Sequence, residues 1–160
     1  MESVVDVIKH AIENEVRAMV FYRRAGELSN VGESQMVFIE LVEMEELHGR
    51  VLADKFKDLL AAGGVDSHAY LTSLEVDADT TLGEEGISLL KDANIRPVLD
   101  FAIAMELRAK ENYQGLAKRI EGDDMRAFCL ELADEEQDHA DMLTEARKGL
   151  DTPEDDRPML

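Results

Sequence analysis

Glu45-x-x-His48 and Glu136-x-x-His139 each set a carboxylate and an imidazole three residues apart. On a helix that spacing puts both groups on one face, where they can reach the same cation together. Around Glu45, the apolar residues Phe38, Leu41, Leu52 and Phe56 fall at offsets −7, −4, +7 and +11. These offsets trace one stripe of a 3.6-residue period, with His48 on it. Glu136 has a matching stripe in Cys129, Leu132, Ala140 and Leu143. A solvated charge run accounts for Glu43 and Glu46 but not for Glu45 and His48. The same period sends Glu135 off the stripe of Glu136.

A repeat supplies two more carboxylates. Shifted by 91 positions, AIENEVRAMVFY (11–22) lies over AIAMELRAKENY (102–113), and FIELVEMEELHGRVL (38–52) lies over CLELADEEQDHADML (129–143). In this register Glu15 meets Glu106, Tyr22 meets Tyr113, Glu45 meets Glu136 and His48 meets His139. Glu15 is centred among Ile8, Ala11, Ile12, Ala18, Met19 and Tyr22. Glu106 is centred among Leu99, Ala102, Ile103, Ala109 and Tyr113.

Folding therefore gathers four glutamates and two histidines inside one bundle. Unpaired, such carboxylates would cost several kcal/mol each in desolvation and would repel one another. Two divalent cations would remove both penalties. Carboxylates with imidazoles suit iron or manganese better than a tetrahedral, often sulfur-rich structural zinc site. A buried hydrogen-bonded Glu–His network without metal is the alternative for the same residues. Tyr22 and Tyr113 are core aromatics or hydrogen-bond donors to the buried carboxylates. Cys129 reads as a small buried thiol, Met19 and Met142 as core filling, and His10 and His68 as surface or loop residues.

The elements that must position these groups are four long helices. The first runs from an N-cap at Ser3, with Asp6 three residues on, to about Leu28. After the turn SNVGES, the second spans about Glu33 to Ala62 and is closed by Gly63-Gly64. The third opens near Pro97 and runs to Ile120. Gly122 breaks it, Asp123 or Asp124 caps the fourth, and Gly149 ends that one. Residues 65–96 read as a long connection with one weak helical patch, GISLLKDAN; such a length can carry the chain back along a bundle. The expected organisation is one domain over 1–150, with 151–160 as a flexible tail.

Composition narrows the partners. The 160 residues carry a formal net charge of −19, which argues against nucleic acid or an anionic membrane as a partner. No run approaches the ~20 apolar residues of a membrane span. The start, MESVVDVIKHAIENE, lacks the basic and apolar regions of an ordinary signal peptide. The single cysteine excludes an intramolecular disulfide; a reducing cytoplasm is the expected compartment.

One Glu from each of two helices plus Glu-x-x-His from each of the other two is the ligand pattern of ferritin-like di-iron and di-manganese bundles. Over roughly residues 3–148 the sequence resembles that superfamily, and within it the rubrerythrin diiron domain. The resemblance implies an all-α, ferritin-like four-helix bundle of two repeated hairpins, with residues 65–96 as the crossover between helices 2 and 3. It implies two iron ions per chain (manganese being possible), Glu45 and Glu136 bridging, Glu15 and Glu106 terminal, and His48 and His139 giving one nitrogen to each metal. It further implies an oxidoreductase acting on hydrogen peroxide or O2, and a homodimer. Ferroxidase-type iron handling and a metal-stabilised bundle without turnover are the alternatives. Two features depart from the family pattern. The cysteine pairs of a rubredoxin domain are missing, so electrons are expected from a separate donor protein. Ala109 stands where rubrerythrins commonly place a further Glu.

Overall fold

A computed structural model describes residues 2–29, 32–91 and 94–151. Among them are seven helices: α1 (Val4–Leu28), α2 (Gly32–Lys55), α3 (Lys57–Ala62), α4 (Ser67–Val76), α5 (Ala78–Lys91), α6 (Ile95–Arg119) and α7 (Asp123–Asp151). The four long ones form two tightly packed pairs, α1 with α2 and α6 with α7. This all-α arrangement is consistent with a ferritin-like helical bundle. It departs from four plain helices, because three shorter ones accompany them.

The predicted ends hold where capping chemistry sets them. Ser3 Oγ accepts from the Asp6 amide at 3.1 Å, and the Asp6 carboxylate accepts the Ser3 amide at 3.3 Å, closing a reciprocal cap. Gly122, at φ +97°, takes the left-handed conformation that separates α6 from α7. At α6 the boundary moves: Asn94 is the N-cap, accepting from Arg96 N at 3.3 Å. Pro97 thus lies within the first turn instead of opening it. The missing N–H costs nothing there, since first-turn amides have no helical acceptor.

The predicted second helix, Glu33–Ala62, is divided at Phe56 (φ −102°, ψ 14°). Amide bonds from Phe56 to Leu52 (3.0 Å) and from Leu60 to Phe56 (2.9 Å) carry the ladder across the division. The chain bends there without breaking, and the bend keeps both Phe56 and Leu60 fully buried. Among the described residues, 65–91 form two helices, not one weak patch, and residues 92–93 of the predicted GISLLKDAN patch lie outside the described residues. Asp66 caps α4 by accepting from Ala69 N at 2.9 Å. Gly83, at φ +82°, kinks α5 so that Leu82 and Leu90 both enter the core.

The core runs the length of the bundle through Ile8, Ile12, Phe21, Phe38, Leu41, Leu52 and Leu99, all fully buried. Cys129 and Met19 are buried with them, and Met142 packs against them. No described helix is long and apolar enough to cross a membrane. The tail expected from residue 151 falls almost wholly outside the described residues, and α7 runs through Asp151, two residues past Gly149.

Candidate metal centre

Each long helix contributes its stripe-centred acid to one place. Glu15 comes from α1, Glu45 and His48 from α2, Glu106 from α6, and Glu136 and His139 from α7. All six side chains are buried. Ligand atoms of Glu45, His48, Glu136 and His139 lie within 4.8 Å of one another. The remaining two predicted residues flank this group, with Glu15 Oε2 3.5 Å from His48 Nδ1 and Glu106 Oε2 3.7 Å from His139 Nδ1.

The contacts obey the register of the repeat. His48 Nδ1 faces Glu45 at 3.6 Å and Glu136 at 3.2 Å. His139 Nδ1 faces Glu136 at 3.2 Å and Glu45 at 2.8 Å. Both imidazoles thus turn the same nitrogen toward the same two carboxylates. Their rings stack with centroids 5.3 Å apart. Tyr22 OH donates to Glu106, and Tyr113 OH donates to Glu15. The hydrogen-bonded alternative for the two tyrosines is the one realised, and each reaches across to the other hairpin.

Without a cation the site divides its charge among protons. Burial works against ionised Glu15, yet hydrogen bonds from Glu45 and His48 outweigh it and hold its pKa near about 2. Burial likewise opposes ionised Glu106, but bonds from His139 and Glu136 bring it down. Glu45 is pushed well up by burial and then by the charges of Glu15, Glu106 and Glu136. Burial and the Glu15 charge push Glu136 up to about 9. Burial disfavours both imidazoliums, but the surrounding carboxylates prevail, raising His48 strongly and His139 to about 12. The shifts favour charged imidazoles facing ionised Glu15 and Glu106, and favour the protonated form at Glu45 and Glu136. Burial followed by the neighbouring Glu charges raises both tyrosine pKa values, keeping the hydroxyls as donors.

This proton balance leaves a defect. Glu136 Oε2 is buried and makes no well-formed hydrogen bond, its near neighbour being His139 Nδ1 at 3.2 Å. An orphaned carboxylate oxygen at the centre of an oxygen- and nitrogen-donor set is what a cation would satisfy. The residues fit a metal.

One contact escapes the period argument. Glu135, though about half exposed, lies with its Oε2 2.5 Å from His48 Nε2. Its long side chain reaches the neighbouring helix from a position that the period sends off the stripe. The signal was present in the sequence as an acid directly before the Glu of one Glu-x-x-His pair, where the other pair has Met44. Glu46, by contrast, pairs with Arg50 at 2.6 Å as a surface residue should. His10 and His68 are exposed and pair with Glu2 and Asp54.

The rubrerythrin family model matches residues 97–158, a span that contains α7 and all but the first two residues of α6, with Glu106, Glu136 and His139. Over these residues the chain is similar to the rubrerythrin family. The match and the buried Glu–His cluster together support a ferritin-like diiron domain. No curated protein and no solved structure matches the chain.

Proposed function

We propose that residues 1–150 form a rubrerythrin-like diiron-carboxylate oxidoreductase. Glu15, Glu45, His48, Glu106, Glu136 and His139 hold two iron ions (manganese being the alternative), and residues 65–96 act as the crossover of the bundle. The substrate is hydrogen peroxide or O2, and the electrons come from a separate donor protein. The observation that carries this reading is the buried cluster with its unsatisfied Glu136 oxygen.

Two iron ions, when bound, supply the two electrons that reduce hydrogen peroxide, with two protons, to two waters. The chain's own residues hold, orient and exclude. Glu45 and Glu136 face both imidazoles and would hold both metals, whereas Glu15 and Glu106 each approach one imidazole and would hold one. With a cation bound His48 would be neutral, and Glu135, 2.5 Å from Nε2, would accept the proton there and leave the Nδ1 lone pair facing inward. Tyr22 and Tyr113 pin the terminal carboxylates from opposite hairpins. The apolar stripes above and below limit water.

A metal-free Glu–His network is favoured by one observation, the charge balance that protons alone achieve. The orphaned Glu136 oxygen weighs against it. Rapid-mixing absorption spectroscopy on anaerobically Fe(II)-loaded protein tests the proposal. Prompt oxidation by peroxide, with repeated turnover once a reductant is supplied, is expected. Slow oxidation without turnover, or oxidation that survives Glu136→Ala, would contradict it.

A further inference from the structure

Beside the cluster, between α1, α5 and α6, lies a cavity of about 400 Å³ that reaches Glu15, Glu45, Glu106 and Glu136. A water's share of liquid volume is about 30 Å³, so the cavity exceeds the needs of a diatomic oxidant by roughly an order of magnitude. Its size falls in the range of sites for small organic molecules.

The repeat builds its walls. Glu15-Val16-Arg17-Ala18 on α1 and Glu106-Leu107-Arg108-Ala109 on α6 occupy the same register. In both, the Glu faces the cluster while the Arg and the Ala line the cavity. The two alanines are what leave the space open. Phe101 and Leu82 add apolar wall, and the kink at Gly83 brings Glu84 and Glu85 to its α5 side.

The charges select the ligand. Arg17 is engaged by Glu13 at 2.7 Å and Asn14 at 3.2 Å. Arg108 is exposed and makes no ion pair among the described residues. A single guanidinium therefore offers a bidentate grip on one carboxylate. Glu84 and Glu85 repel anions on the α5 side, so a carboxylate is favoured only next to Arg108 and a second one has no place.

We propose that this cavity binds a small monocarboxylic acid with an apolar body, its carboxylate held by Arg108 beside the metal pair. The inference rests on the metal-bearing reading above and gives that site an organic ligand in addition to its oxidant. The four glutamates offset two divalent cations, so the incoming monoanion is the charge that Arg108 balances.

Benzoate is the probe, titrated into zinc-loaded protein and followed by ligand-observed NMR, with the metal content measured on the same samples. Saturable binding is expected, weakened about tenfold or more by Ala109→Leu, which fills the cavity without adding charge. Arg108→Gln should weaken it at least about threefold, and benzyl alcohol and phthalate should each bind about tenfold more weakly than benzoate. Ala109→Leu should retain its metal and its melting temperature. With metal present, an absence of benzoate binding, or binding that Ala109→Leu leaves unchanged, overturns the carboxylate site alone. A protein that takes up no metal overturns this inference together with the diiron reading.

Discussion

The two halves of the centre match on the inside and differ on the outside. His48 and His139 turn the same nitrogen toward the same pair of carboxylates, at distances between 2.8 and 3.6 Å. Behind His48, Glu135 holds the second ring nitrogen at 2.5 Å. The register partner of Glu135 is Met44, whose thioether is at best a weak acceptor. The repeat thus keeps the acids and imidazoles that face one another and lets the residues behind them diverge. Under the proposed two-metal reading, the two positions need not hold metal equally well.

The largest expected effect comes from breaking what the halves share. Glu45→Ala and Glu136→Ala should each destroy both metal positions, since both acids face both imidazoles, and metal content should fall to near zero. Glu46→Ala, one residue away, should leave the content unchanged because Glu46 only pairs with Arg50 on the surface. Elemental analysis of the three variants checks this; equal loss in Glu46→Ala would mean that the helix register is wrong.

Next in size is the asymmetry itself. Removing the carboxylate behind a metal-binding imidazole typically costs about 10–100-fold in metal affinity. Glu135→Ala should show such a loss at one of the two positions, splitting a metal titration into two phases, whereas Met44→Ala should not. If the titration stays in one phase, the Glu135 contact is a surface ion pair of no consequence.

A smaller and symmetric effect is expected from the tyrosines. Tyr22→Phe and Tyr113→Phe each delete one hydrogen bond to a charged carboxylate, worth about 1.5–3 kcal/mol. Thermal unfolding should show similar losses for the two variants. A large difference would show that the two halves diverge in the interior as well.

The shared burial of the six residues was legible in the sequence because they interrupt apolar stripes, and a carboxylate there needs a physical reason. The 91-residue register then tied the stripes together before any packing was known. Glu135 was lost for an angular reason: one step along a helix turns the side chain about 100° off the core, but a long acid at the seam still reaches the next helix. The bend at Phe56 leaves the apolar period intact and therefore no trace in it. α4 and α5 are short and interrupted by Thr, Ser and Gly residues, so their periodicity was weak, and Gly83 breaks what there was. The cavity depends on small residues from two distant helices meeting, which no local pattern reports.

The central claim is that the chain binds a pair of cations in place of protons. Loading requires neutral imidazoles and ionised acids, so the protons on His48, His139, Glu45 and Glu136 must leave. Metal affinity should therefore rise with pH. The most direct measurement is an anaerobic Fe(II) titration of chelator-treated protein at neutral and mildly acidic pH, followed by elemental analysis. The account predicts about two metals per chain at neutral pH, with tighter binding there than in acid. A plateau near one metal or none, or an affinity indifferent to pH, would contradict it.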